Sequence, residues 1–153
     1  MTIKKIFDVN DKVIIITGGA GYLGSQYAEG LSQHGANIVI ADRNFKECKK
    51  IVSSLEADYD VKPLAIQLDI TKPNSIKKMI AKIKMKYSRI DGLVNNAANN
   101  PKMESKGGTN FSRLENFPLD IWNKDISVGL TGAFLCAKYY GNYISQNPSG
   151  GSI

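Results

Sequence analysis

A chain of 153 residues that is 42% hydrophobic and 22% charged has the length and composition of a globular domain with its own core. Its net charge of +6 raises the question of nucleic acid, but the lysines run along helix-like segments without the interleaved aromatics that base stacking uses, so a solvated basic face is expected. Nowhere do about 18 apolar residues run together, which argues against a membrane partner, and Cys48 and Cys136 lie far apart without a CxxC partner, which predicts buried thiols, no metal site and a reducing, cytoplasmic setting.

In chain order, the β-branched run Lys12 to Thr17 predicts a first strand, and Tyr22 to His34 a helix with Leu23, Tyr27, Ala28 and Leu31 on its inner face and Gly35 as its stop. His34, the single histidine, falls in the last turn of that helix, where a cation favours the helix dipole, so it reads as a cap rather than an acid or base. Asn37 to Ala41 is a second buried strand. Residues from Asn44 to Ala57 predict a second helix with Cys48, Ile51, Val52 and Leu55 inward, followed by a strand from Leu64 to Leu68. Thr71 or Asn74 then caps a third helix. On it Ile76, Met79, Ile80, Ile83 and Tyr87 form an apolar stripe opposite Lys77, Lys78, Lys82, Lys84 and Lys86. Gly92 to Asn95 supplies a fourth strand, and the polar stretch from Asn99 to Phe117 is long for a plain connection. Pro118 opens a long helix running past Tyr140, and Gly151 to Ile153 begin a fifth strand.

Alternating strands and helices, with the strands apolar on both faces, predict an α/β fold: a doubly wound, Rossmann-like parallel sheet. A fifth strand that starts at the last residues reads as a sheet truncated there. Residues 1–153 are thus expected to be the N-terminal part of a single dinucleotide-binding domain.

The chemistry gathers at the strand ends. In Thr17-Gly18-Gly19-Ala20-Gly21-Tyr22-Leu23-Gly24 a strand runs through glycines into a helix. Gly18 permits a tight turn, Gly21 lets backbone approach a pyrophosphate, and Gly24 lets the helix pack close, with free N–H groups and the helix dipole facing the phosphates. Asp42, 18 residues after Gly24, ends the second strand where a carboxylate can accept both hydroxyls of an adenosine ribose. The same charge repels a 2′-phosphate, so NAD is expected over NADP, with the neighbouring Arg43 the one feature that tolerates NADP. Asp69 closes the third strand in Leu68-Asp69-Ile70-Thr71, and Asn95-Asn96-Ala97-Ala98 closes the fourth, its small alanines leaving room for a flat group.

This order of motifs, followed by Trp122 and the helix from Val128 to Phe134, resembles the short-chain dehydrogenase/reductase family along essentially the whole chain from Lys12 to Ile153. The resemblance implies that Gly18, Gly21, Tyr22, Leu23 and Gly24 hold the pyrophosphate, Asp42 the ribose, and Asp69 with Ile70 the adenine. Asn96 would brace the central sheet, and Ala97 and Ala98 would line the cofactor path. It implies hydride transfer between NAD and an alcohol or carbonyl on a small molecule, and pairing of subunits through the long helix that holds Tyr139 and Tyr143.

Three departures stand against the family pattern. The glycine spacing resembles the family's epimerases and dehydratases, whereas Asn95 to Ala98 resembles its shorter dehydrogenase branch, which is the branch expected here. Gly129 stands where the family places an asparagine of its proton relay. No Tyr-x-x-x-Lys pair occurs in the chain, so no catalytic residue is assigned; Tyr139, Tyr140 and Tyr143 read as helix packing or a subunit contact. The resemblance puts the missing pair beyond the fifth strand. The polar loop beside the expected nicotinamide, with Asn100-Pro101 and Asn110-Phe111-Ser112-Arg113, resembles members acting on sugar acids or flagellar glycans and suggests a sugar-like substrate. The alternatives are a non-catalytic nucleotide-binding or regulatory protein and a sugar-nucleotide epimerase or dehydratase.

Overall fold

In the computed structural model, residues 7–99 and 114–153 are described, and their strands form one parallel sheet in the order β3-β2-β1-β4. The strands are β1 Val13–Thr17, β2 Asn37–Asp42, β3 Leu64–Gln67 and β4 Gly92–Val94. Ile15 lies in register with Val39 on one side and Leu93 on the other. Every residue of β1 is buried, because a central parallel strand has a layer of helices on each face.

Side chains of successive strand residues point to opposite faces, and this alternation divides the core in two. On one face Ile15, Val39 and Ile66 pack with Ile76, Met79 and Ile83 of α3 (Pro73–Lys86) and with Cys136, Tyr140 and Ile144 of α5 (Ala133–Ile144). On the other face Ile14, Ile16, Ile38 and Ile40 pack with Ala28 of α1 (Tyr22–Gln33) and with Cys48 and Leu55 of α2 (Phe45–Asp58). The two cysteines are buried free thiols. Burial, and for Cys48 the nearby charge of Asp42, push their pKa values up to about 11 for Cys48 and about 12 for Cys136, so both stay protonated.

Local sequence explains most element ends. Asn44 caps α2 by accepting from the Glu47 N–H at 3.2 Å. At the end of α1 the Gly35 N–H donates to the Ser32 carbonyl at 2.9 Å and the Ala36 N–H to the Leu31 carbonyl at 3.1 Å, a Schellman closure with His34 as the C-cap.

Four readings of the sequence are corrected. The buried face of α1 is Gly24, Ala28 and Ser32, with Leu31 partly buried beside it as expected, while Leu23 and Tyr27 are 56% and 44% exposed; small residues let the helix lie close to the sheet. Neither Thr71 nor Asn74 caps α3. Its N-cap is Lys72 with Pro73 in the first turn, and Thr71 bonds the Asp69 carboxylate instead. Pro118 is the N-cap of α4 (Leu119–Asp125) rather than its first residue. The long helix is not uniformly α-helical, since a π-helical segment, Ile126–Gly132, joins α4 to α5.

The stretch 100–113, which includes most of the polar loop and its sugar-like motif, lies outside the described residues. Near the chain end Ser152 pairs in parallel with Gly92, its N–H donating to the Asp91 carbonyl at 3.0 Å, so a fifth strand position exists beside β4. Among the described residues no helix is long and apolar enough to cross a membrane.

Candidate functional site

The turn after β1 is shaped by what lies behind it. Gly18 has φ 64°, and a Cβ there would stand 2.8 Å from the Ala97 Cα, so only glycine fits between β1 and the end of β4. A Cβ on Gly24 would overlap the Gly18 carbonyl oxygen and sit 2.7 Å from the Gly19 Cα, which is backbone and cannot step aside. Gly21 caps α1 and accepts the first helical hydrogen bond from the Ser25 N–H at 2.9 Å. The N–H groups of Tyr22, Leu23 and Gly24 therefore have no partner within the helix. No acidic residue stands in that first turn and, among the described residues, no side chain caps it, so the positive end of α1 opens into the cleft.

Asn96 holds the turn from behind. Its Nδ2 donates to the carbonyls of Thr17 and Gly18 at 3.0 and 3.1 Å. The fully buried Thr17 hydroxyl donates to the Val94 carbonyl at 3.2 Å and accepts from the N–H groups of Asn96 and Ala97 at 3.1 and 3.2 Å. These bonds tie the ends of β1 and β4 together. Asn96→Ala removes the amide from both carbonyls, leaving that of Gly18 with the Gly21 N–H at 3.0 Å, and an intact protein carrying it is expected to lose about 1–3 kcal/mol in urea unfolding. An unchanged midpoint would show that water replaces the amide there.

At the end of β2 the Asp42 carboxylate is held by two backbone donors, Ala20 N–H at 3.3 Å and Asn44 N–H at 2.9 Å, one on each oxygen. Both oxygens keep a lone pair for a further donor. Asp69 accepts from the Thr71 hydroxyl at 2.6 Å and the Thr71 N–H at 3.0 Å. Burial works to raise the Asp69 pKa, but these bonds and the charges of Arg43 and Lys72 outweigh it, and the carboxyl is held below its ordinary value. It is therefore ionised at neutral pH.

All eleven residues singled out in the sequence line one cleft of about 470 Å³: Gly18, Gly21, Tyr22, Leu23, Gly24, Asp42, Asp69, Ile70, Asn96, Ala97 and Ala98. Three lining residues come from the long helix and were not anticipated: Lys124, Ser127 and Val128. Nothing in their local sequence marks them, because the approach of that helix to the strand ends brings them there.

Gly129 lies one residue beyond Val128 in the π-helical segment, exposed, and a Cβ on it would meet nothing within 4 Å. Crowding thus does not select glycine at this position. The helix tyrosines are packing residues. Tyr140 is wholly buried, its hydroxyl donating to the Met79 sulfur at 3.0 Å, and burial pushes its pKa far up. Tyr139 and Tyr143 face α3, with the ammonium groups of Lys77 and Lys84 over their rings at 5.5 and 4.8 Å.

The family model for short chain dehydrogenases matches residues 12–153. The chain is 34% identical over 144 residues to an NAD-dependent glycerol dehydrogenase of Listeria innocua, covering 92% of this chain and 52% of that protein. It is 30% identical over 152 residues to a sorbose reductase of Candida albicans, covering 97% and 50%. The fold matches a short-chain type dehydrogenase/reductase from Mycobacterium marinum with a TM-score of 0.81 at 23% identity, over 98% of this chain and 55% of that one. The chain spans about half the length of the curated relatives it matches. With the family model running from Lys12 to the last residue, over the glycine turn and the strand ends just described, the chain belongs to the short-chain dehydrogenase family.

Proposed function

We propose that the intact protein is an NAD-dependent oxidoreductase that interconverts an alcohol and a carbonyl on a polyhydroxylated small molecule, with residues 12–153 forming its cofactor-binding portion. The observation that carries this reading is the meeting, in one cleft, of free helix N–H groups and the Asp42 carboxylate. The N–H groups of Tyr22, Leu23 and Gly24 hold the pyrophosphate. Asp42 accepts from both ribose hydroxyls while its two backbone donors keep it oriented, and Asp69 and Ile70 receive the adenine. Ala97 and Ala98, flanked by the strand ends, leave a flat path toward the nicotinamide. When bound, the nicotinamide supplies hydride transfer. The residues described here bind and orient it; no proton-transfer group is assigned among them.

A carboxylate at the ribose favours NAD, because a 2′-phosphate would meet a like charge. The names of the glycerol dehydrogenase and the sorbose reductase support a polyol or sugar substrate. Subunit pairing through the long helix is supported by an apolar stripe at four-residue spacing, Trp122, Ile126, Leu130 and Phe134, which is 53%, 36%, 65% and 60% exposed. This stripe, rather than Tyr139 and Tyr143, is the pairing face we infer. The free buried thiols support a cytoplasmic setting.

The test is Asp42→Ala in the intact protein, read by titration with NADH and NADPH. Loss of two charge-assisted hydrogen bonds is expected to weaken NADH about tenfold or more, with NADPH unchanged or tighter. Equal loss of both would remove Asp42 from the ribose. If NADH binds but neither glycerol nor sugar alcohols reduce NAD, the non-catalytic reading gains instead.

A further inference from the structure

The cleft wall formed by Lys124, Ser127 and Val128 stands on an element with little of its own to hold it. Helix α4 buries none of its residues, and of the π-helical segment only Gly132 is buried. Trp122, Ile126 and Leu130 are exposed, and Val128 is only partly buried against the core. The facing walls are strand ends fixed by the sheet ladder, so the shape of the cleft depends on what ties this helix down.

Two ties bracket the segment. At its far end Gly132 lies against Ile70, where a Cβ would come within 2.6 Å of the isoleucine side chain, so any larger residue would push Ile70 or the helix aside. At its near end Asn99 Nδ2 donates to Asp125 Oδ1 at 2.7 Å, across 26 positions of sequence. The bond is partly buried and its acceptor is a carboxylate, and both features strengthen it over a neutral bond in water. Asn99 follows Ala98 at the end of β4, and Asp125 follows Lys124. The bond therefore joins the two sides of the cleft one residue away from a lining residue on each.

These ties bear on register. A π-turn closes over five residues where an α-turn closes over four, so a small shift in pairing changes which side chains face the sheet. Each residue of an α-helix advances about 100° around the axis. A slip of one residue would swing Ser127 and Val128 about that far from the cleft. Aspartate is a poor helix former, and here its carboxylate is directed at a partner outside the helix.

We propose that Asp125 and Asn99 are positioning residues for cofactor binding: their bond, with Gly132 against Ile70, holds the π-helical segment in the register that puts Lys124, Ser127 and Val128 in the cleft. Neither residue lines the cleft, so both act through that wall. What the wall touches rests on the NAD reading above; the latch itself does not.

Hydrogen exchange of the amides of residues 126–132, followed by mass spectrometry on the intact protein without cofactor, reads the latch, and NADH titration reads its effect. Asn99→Ala and Asp125→Ala are each expected to speed that exchange about tenfold and to weaken NADH about tenfold, as loss of one charge-assisted bond requires. Both remove the same bond, so the double alanine variant should be no weaker than either alone. Asn99→Asp sets two carboxylates together and should be at least as damaging. Adding Asp125→Asn to it reverses donor and acceptor and should return both readouts to within about twofold of wild type, a rescue that general loss of folding would not give. The proposal is overturned if either readout stays at its wild-type value in both alanine variants, or if the reversed pair is no better than Asn99→Asp alone. Wild-type protein that does not bind NADH would sink the cofactor reading instead, and the exchange rates would still decide the latch.

Discussion

Alanine at position 24 is expected to weaken NADH binding about a hundredfold in the intact protein, the factor that about 3 kcal/mol of overpacking produces. The added methyl would overlap the Gly18 carbonyl oxygen and come within 2.7 Å of the Gly19 Cα and 3.0 Å of the Asn96 amide. Two of these neighbours are backbone in the turn itself, and the third is the side chain that anchors it. Relief therefore requires α1 to move away from the end of β1, which carries the three free N–H groups away from the phosphates. Gly30→Ala is the control, because a methyl there meets nothing within 4 Å on the same helix. That change should leave NADH affinity alone and stabilise the protein by about 0.5–1 kcal/mol through helix propensity. Isothermal titration separates the two. Wild-type affinity in Gly24→Ala would show that α1 yields without cost and that close packing does not shape the site.

Truncating Tyr140 to alanine is expected to lower stability by about 3–5 kcal/mol, seen as a melting point roughly 10 °C lower. The ring is wholly buried among Met79, Ile83 and Cys136 in the core shared by α3, α5 and the sheet, and the hole left behind opens onto rigid strands. Tyr140→Phe removes only a hydroxyl that donates to a thioether sulfur, a weak acceptor, so it should cost about 1 kcal/mol or less. This pair of variants also tests the assignment of the helix tyrosines. If Tyr140→Phe melted normally yet abolished turnover, the hydroxyl would have a chemical task that its burial here argues against.

The sites most legible in the sequence are those where backbone geometry demands one residue type. Gly18 and Gly24 were read as a tight turn and a close approach, and both approaches are present, although the group met by Gly18 is Ala97, 79 residues away. Asp42 and Asp69 were found because a parallel sheet presents its strand ends on one edge, so an acidic residue closing a strand is already placed beside the turn. Where the sequence reading failed, local pattern competed with packing. The apolar periodicity of α1 selected Leu23, Tyr27, Ala28 and Leu31 as its inner face; Ala28 and Leu31 do pack on the core, but the helix sits so near the sheet that Gly24 and Ser32 take the places expected of Leu23 and Tyr27. Thr71 and Asn74 have the chemistry of caps, but the carboxylate of Asp69 takes the Thr71 hydroxyl first.

From its own sequence the chain determines the alternation of strands and helices, the buried parallel sheet and the glycine turn with its acidic companions, because each depends on residues near one another in the chain or on positions that topology makes equivalent. The tertiary structure alone decided that Thr17 and Asn96 lock β1 to β4, that Lys124, Ser127 and Val128 reach the cleft, and that the lysines of α3 stand over the tyrosines of α5. These pairings join residues tens of positions apart. They depend on how closely helices pack on a sheet and on which turn of a helix faces it, and periodicity constrains those quantities only to within a turn.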